Sequence, residues 1–260
     1  MKNKSLYILI LSLIYLGCDK IETPIPPVFG DVDWSLYPGD STGYLALYNF
    51  DNPESNWVPN TNTRKNILLE DYTGHKCTNC PEAATIAVNL ENDTSLGVIV
   101  ASLHASPSGN FQVVVPPEFN IDFTTIAGTE YTNTIITEGV FPGNPCGTIN
   151  RKSGSPLLNS HWYFPDAWLD AVNLEIANSN LLANIQLQYN YFSQTNGLFI
   201  HTETEFKDNN SGDYHLIMYL VRESVIAPQA YNGFIEHHYH HHSVVSDNIN
   251  GTWGTRISEG

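Results

Sequence analysis

The feature that most constrains the fold of this 260-residue chain is a pair of cysteines separated by two residues, Cys77 and Cys80. The segment before them, 66–72, is rich in apolar residues and predicts a buried strand. The segment after them begins with Pro81 and carries apolar residues at helical spacing, which is typical of a helix with proline in its first turn. A second apolar run at 96–103 predicts a parallel strand covered on both faces. The sequence therefore predicts a strand–helix–strand unit with the cysteines at the start of its helix.

This placement predicts thiol chemistry. At a helix start, unpaired backbone N–H groups and the helix dipole would favour the thiolate form of Cys77. Lys76 would add positive charge beside it, and His75 is a further candidate for this supporting role. A thiolate attacks a disulfide, and a neighbouring thiol then resolves the mixed intermediate. We therefore predict that Cys77 is the nucleophile and Cys80 the resolving cysteine.

The first seventeen residues predict an export signal. Two lysines precede the apolar run Leu6–Leu16, which is too short to span a bilayer of about 30 Å as a helix. Cys18 follows directly, and this junction resembles a bacterial lipoprotein signal in which the cysteine becomes lipidated. Residues 1–17 are then the signal peptide, and the lipid on Cys18 is the membrane attachment. The alternative is ordinary secretion, with Cys18 as a spare thiol.

The charge balance excludes some functions. The chain has 27 acidic and 11 basic residues, a formal net charge of −16, so it would repel nucleic acid and anionic lipid headgroups alike. No phosphate loop or dinucleotide-binding motif is present, so no cofactor is predicted. Paired carboxylates such as Glu70 and Asp71 are unremarkable in so acidic a chain.

The chain divides into regions of different character. Residues 18–60 are rich in proline and predict an extended tether, unless this segment docks locally. Residues 61–180 contain the predicted α/β unit. In residues 181–260, the segments 184–192 and 197–206 alternate polar with apolar residues and predict antiparallel strands, most simply those of a β-sandwich. A complete sandwich takes about 100 residues, so we expect this second domain to be truncated.

The sequence also resembles a known family. Residues 73–84 (TGHKCTNCPEAA) are similar to the motif of the twenty-eight-kilodalton outer-membrane lipoproteins of Gram-negative bacteria, and residues 139–151 resemble that family's second landmark. The resemblance implies an α/β thioredoxin-like domain followed by an antiparallel immunoglobulin-like β domain, held at the outer membrane. It also implies a cis-proline opposite the cysteine pair. Pro145 is the candidate and Pro142 the alternative, and the first choice would place Cys146 beside the disulfide.

Three functions remain open from the sequence. The first is a thiol–disulfide oxidoreductase acting on extracytoplasmic protein thiols or disulfides, with Pro145 shaping the client groove. The second is a non-enzymatic surface lipoprotein that binds a partner and keeps Cys77–Cys80 as a structural disulfide. The third is a copper or zinc site formed by the pair with either Cys146 or His75, since soft thiolates select such metals.

A histidine-rich run at 236–242 (EHHYHHH) offers a separate metal candidate. On a helix, His237 and His241 would share one face. On a strand, alternate histidines would do so: His238, His240 and His242. Either arrangement could ligate zinc or copper. The favoured interpretation is a polar loop whose imidazoles titrate near neutral pH.

Overall fold

The computed structural model describes residues 32–43, 58–134, 140–154, 160–178, 180–207 and 212–257. The predicted signal peptide and the lipidation candidate Cys18 lie outside these ranges. So do residues 44–50 (YLALYNF), whose sequence could form a short strand. No helix within the described ranges is both long enough and apolar enough to cross a membrane.

The helices and strands follow one another in α/β order and end in a β-rich segment. They are β1 (Ile67–Thr73), α1 (Cys80–Asn92), β2 (Val98–His104), α2 (Ile126–Thr134), β3 (Cys146–Ile149), β4 (Trp162–Tyr163), α3 (Trp168–Asn178), β5 (Ala183–Phe192), β6 (Gly197–Phe206), β7 (His215–Leu216), β8 (Tyr219–Tyr231), β9 (Phe234–Asn248) and β10 (Thr255–Arg256). Short 3-10 turns lie at Trp34–Leu36 and Pro165–Ala167.

A mixed six-stranded sheet organises the molecule, in the order β4-β3-β1-β2-β9-β8. Strands β1 and β2 are parallel, with Ile67 opposite Val98, and β3 is antiparallel to β1. Strand β9 lies parallel to β2, and β8 is antiparallel to β9. The predicted strand–helix–strand unit is confirmed, with strand bounds within two residues of those expected from the apolar runs.

Helices cover both faces of this sheet. On one face, Ala87 of α1 and Trp168 of α3 pack with Leu69 of β1 in one buried cluster. On the other face, Ala127 and Tyr131 of α2 belong to a second cluster, built around the aromatic side chains of β1 and β4. Because both faces of β1 and β2 are covered, their side chains are almost all buried, as the continuous apolar pattern predicted.

The β-rich segment does not fold as a sandwich of its own. Strands β8 and β9 extend the mixed sheet, β5 pairs with β6 in a separate ribbon, and β7 pairs with β10. The sequence of residues 214–223 (YHLIMYLVRE) predicts one continuous strand, but this strand is interrupted, because the backbone of Met218 turns aside to bond with Asn250 and Ile249. The expected boundary after residue 180 therefore separates β5 from α3 but does not separate two sheets.

The described part of the predicted tether docks on the β5–β6 ribbon. The ring of Tyr37 lies 5.2 Å from that of Phe192, and the ring of Trp34 lies 5.8 Å from that of Phe199. Further along, the side chain of Asn184 donates hydrogen bonds to the backbone carbonyls of residues 60 and 62. In these residues the tether is thus a locally docked segment, the alternative to an extended chain.

Candidate redox site

The cysteine pair lies where β1 passes into α1. Cys77 and Cys80 form a disulfide with their Cα atoms 5.4 Å apart. Cys80 is the first residue of α1, and its amide donates to the carbonyl of Cys77 at 3.3 Å. The turn before the pair is closed by a hydrogen bond from the amide of Cys77 to the carbonyl of Gly74 at 2.9 Å. The disulfide therefore sits at the positive end of the helix dipole.

A glycine is required in this turn because a neighbouring loop approaches closely. A Cβ atom on Gly74 would lie 2.7 Å from the carbonyl oxygen of Phe111 and 2.8 Å from the side-chain nitrogen of Gln112. The same loop accepts a hydrogen bond from the amide of Lys76 at 3.0 Å. The close approach fixes the path of the chain that carries the two cysteines.

Both cysteines are buried, and the turn that carries them is bonded to the hairpin tip, which we define as residues 228–236 at the turn between β8 and β9. Each cysteine is only 2% exposed. The amide of Ala230 donates to the carbonyl of His75 at 2.8 Å. The side-chain amide of Gln229, itself buried, donates to the carbonyl of Cys77 at 2.9 Å. The hairpin tip therefore lies against the turn that carries the buried disulfide.

The proline candidate lies at the same end of the sheet. The peptide bond between Asn144 and Pro145 is cis, and the bond before Pro142 is not. The side chain of Asn144 donates to the carbonyls of Tyr72 at 2.8 Å and Ala105 at 3.1 Å. These bonds tie the proline loop to the ends of β1 and β2, and the cysteine turn follows β1 at the same end of the sheet.

Cys146 is an inert thiol in this arrangement. It is a fully buried, free cysteine that pairs in register with Tyr72. Burial, and secondarily the charge of Asp71, raises the pKa of its thiol well above the ordinary value. The thiol therefore stays protonated, which does not suit a metal ligand or an attacking group.

His75 does not supply the expected positive charge. Its side chain is buried, its ring stacks on Phe119 with centroids 5.0 Å apart, and its Nε2 lies 3.0 Å from the carbonyl of Val113. Burial lowers the pKa of His75, so the neutral imidazole is favoured. Of the two supporting residues, only Lys76 can provide the charge.

The histidine-rich run lies in strand β9 and not in the expected loop. Its odd and even positions face opposite ways, so His241 is buried whereas the flanking His240 and His242 are exposed. The ring of His241 lies 5.4 Å from that of His104 on β2. Burial lowers the pKa of His241 to about 4 and the pKa of His104 well below its ordinary value.

The proposed metal sites are not assembled. In the part of the chain that the structure describes, no three His, Cys, Asp or Glu side chains are placed to hold a metal ion. This applies to the cysteine pair with Cys146 or His75, and also to the histidines of β9. The metal interpretation therefore has no geometric support.

Two carboxylates that the sequence analysis passed over are buried in β1. Glu70 accepts hydrogen bonds from Arg151 at 2.6 and 2.7 Å, from Thr148 at 2.8 Å and from Tyr219 at 2.6 Å. Burial alone would raise the pKa of Glu70, but Arg151 and these hydrogen bonds outweigh it and lower the pKa. The charge on Glu70 is thus retained inside the protein.

Asp71 is buried without such compensation. Its Oδ1 atom has no hydrogen-bond partner, and burial raises the pKa of its carboxyl to about 7. Because side chains alternate along a strand, Asp71 points to the same face as Ile67 and Leu69, which pack against α1. The burial of Glu70 and Asp71 could have been predicted from their position side by side within an apolar strand.

Comparison with known proteins supports a fold assignment only. No protein-family model and no curated protein matches the chain. Among solved structures, HBP35 of Porphyromonas gingivalis aligns with a TM-score of 0.55 and 14% identity, over 77% of this chain and 62% of that one. A structural-genomics target from Agrobacterium tumefaciens aligns with a TM-score of 0.49 and 12% identity, over 72% of this chain and 73% of that one. The similarity to HBP35 concerns the fold alone.

Proposed function

We propose that the protein is a thioredoxin-like envelope lipoprotein that exchanges disulfides with protein clients. The observation that carries the proposal is the Cys77–Cys80 disulfide at the first turn of α1. The strand order β4-β3-β1-β2 and the cis peptide before Pro145 also support the thioredoxin-like description. Attachment through lipid on Cys18 and an outer-membrane location belong to the same proposal. The immunoglobulin-like description of residues 181–260 has no support in the strand order.

The exchange proceeds through a mixed disulfide. In the reduced protein, the thiolate of Cys77 attacks a client disulfide, forms a bond to one client sulfur and releases the other as a thiolate. The thiolate of Cys80 then attacks the sulfur of Cys77 and releases the second client thiolate. The client gains two electrons, and the protein ends with the disulfide seen in the structure. The reverse sequence oxidises a client dithiol by the same bonds.

Asp71 is the proposed proton acceptor for the resolving step. Cys80 must lose its proton before it attacks, and a buried carboxyl with a pKa of about 7 suits this transfer near neutral pH. Asp71 lies on the face of β1 that α1 covers, and Cys80 begins that helix. Proton transfer from Cys80 would therefore be the functional reason for the raised pKa of Asp71.

Client access requires the hairpin tip to open. The tip is held over the disulfide by the backbone bond from Ala230 and by the side-chain amide of Gln229. A hydrogen bond of this kind contributes about 0.5–1.5 kcal/mol, so removing the amide should make opening up to about tenfold more frequent.

The second candidate function, partner binding with a structural disulfide, is favoured by the burial of both cysteines.

Thiol labelling distinguishes the two functions. After mild reduction, the folded protein is treated with an alkylating reagent at mildly acidic pH, and the labelled residue is identified by mass spectrometry. A low-pKa Cys77 should be labelled under these conditions, and the Gln229→Ala variant should be labelled up to about tenfold faster. The Cys146→Ser variant is the matched control, since its loss should leave the labelling unchanged.

A trapping variant tests the exchange itself. Cys80→Ser should accumulate mixed disulfides with client proteins, because the resolving thiol is absent, whereas Cys77→Ser should accumulate none. If folded wild-type and Gln229→Ala proteins both stay unlabelled, and Cys80→Ser captures no client, the oxidoreductase proposal is wrong and the binding function stands.

A further inference from the structure

The two faces of the β5–β6 ribbon differ sharply in their surroundings. Residues 34–37 and 58–62 cover one face. The other face carries large apolar side chains that are open to solvent. They are Ile185 (54% exposed), Leu187 (53%), Tyr189 (67%), Tyr191 (57%) and Leu198 (40%). We call this set the open ribbon face.

Strand register makes the open ribbon face continuous and uncharged. Ile185, Leu187, Tyr189 and Tyr191 alternate along β5, so they project to the same side. Their direct partners on β6 are also uncharged: Thr204, Thr202, Ile200 and Leu198. The glutamates of β6 lie opposite Asn184 and Gln186, on the covered face. The open ribbon face is thus an uncharged, largely apolar strip that runs from Ile185 to Tyr191 along β5.

An exposed apolar strip of this area is expected to pack against another surface. A large side chain contributes about 150–250 Å² when fully exposed, so the five residues present on the order of 500 Å². Exposed patches of this size on soluble proteins are often interaction sites. A two-stranded ribbon is also marginally stable unless its apolar face packs on something. At one end of the ribbon, the ring of Tyr214 lies 5.1 Å from that of Phe206, but the five residues of the open ribbon face remain 40–67% exposed.

We propose that a second copy of this chain covers the open ribbon face, so that two ribbons stack face to face in a symmetric dimer. Two such strips would bury on the order of 1,000 Å², which is the lower bound for a specific interface. Flat sheet faces stack readily at about 10 Å, and a two-fold axis brings each strip onto its own copy.

The lack of charge on the strip and the contacts of the neighbouring chain favour a second copy as the partner of the open ribbon face. The chain carries a net charge of −16, yet the strip itself has no charged side chain, so two copies meet there without direct like-charge contacts. An uncharged strip also offers nothing to select a basic partner. Described residues on either side of segment 44–57 contact the covered face, through Tyr37 and Val58.

Sedimentation of matched lysine variants tests the dimer. Leu187 lies in the strip, and Leu174 on α3 is similarly exposed (59%). The mature wild-type protein should sediment at twice the mass of its own monomer. Leu187→Lys should weaken the dimer about a hundredfold or more, because an unpaired charge would be buried, whereas Leu174→Lys should leave it unchanged. Lysine lowers the net negative charge, so general repulsion cannot explain a loss of association.

Two results would overturn the inference. One is a wild-type chain that is monomeric at all concentrations, and the other is a dimer that Leu187→Lys does not weaken. The monomeric chain could in addition be destabilised by Leu187→Lys, or bind neutral phosphatidylcholine vesicles through this residue. That result would assign the strip to another segment of the same chain or to a lipid surface. None of these measurements depends on the proposed redox function.

Discussion

Replacing Asp71 with asparagine should stabilise the folded protein at neutral and alkaline pH but not in acid. The carboxyl has a pKa of about 7 in the folded protein against an ordinary value of 3.8. Below the lower value both states are protonated, and the wild type bears no penalty. As pH rises towards 7, the unfolded state ionises first and the wild type loses stability. A gap of about three pKa units corresponds to up to about 4 kcal/mol.

The asparagine variant removes this dependence, because its amide does not ionise. Some of the gain will be lost to the amide's own unpaired hydrogens, so we expect a net stabilisation of about 2–4 kcal/mol above pH 7 or so. The same variant should slow the proposed resolving step, since the proton acceptor is gone. Stability and exchange activity would then change in opposite directions.

Urea unfolding with the disulfide intact provides the measurement. The free energy of unfolding is determined for the wild type and Asp71→Asn in acid and in mild alkali, and the variant effect is compared between the two conditions. Titration of the buried histidines affects both proteins alike and cancels in this comparison. Asp170→Asn, at an exposed position of α3, is the control and should not produce the stabilisation in mild alkali that is expected of Asp71→Asn. An equal effect of Asp71→Asn at both pH values would refute the reasoning.

Three further outcomes are expected. Arg151→Met should destabilise the protein by about 3–5 kcal/mol in chemical denaturation, because Glu70 would be buried without its cation, and adding Glu70→Gln should restore part of the loss. His104→Phe should retain more stability as pH falls below about 6.5, since the buried neutral imidazole favours unfolding in acid; thermal unfolding at two pH values checks this. Cys146 should react with thiol reagents only after denaturation, as mass spectrometry would show.

The parts of the fold that could be predicted from the sequence are those that depend on the pattern of apolar residues within one short segment. The β1–α1–β2 unit follows from two apolar runs and a helical stripe, and the β5–β6 hairpin follows from strict alternation. The pairing of β9 with β2 joins residues far apart in the chain, and no local pattern marks it. The histidine run was wrongly taken as a loop because the burial of alternate positions in β9 depends on that distant pairing.

The residues of the candidate site also fall into those that a local pattern could predict and those that it could not. The cysteine pair at a helix start could be predicted from spacing, and the cis peptide before Pro145 agrees with the expectation from family resemblance. Gln229 could not be predicted, since only the folded hairpin brings it over the cysteines. Asp71 was missed because acidic residues are common in this chain, although few lie in apolar strands.

The position of β9 beside β2 has a consequence for how the molecule matures. In the proposed export, the chain crosses the membrane from its amino end, so the cysteines reach the oxidising side more than a hundred residues before the hairpin that later covers them. During that interval, oxidants would meet both sulfurs uncovered and β2 would present a bare edge. The disulfide could therefore form before the hairpin docks. Docking of the hairpin would then bury the cysteine pair in its oxidised form.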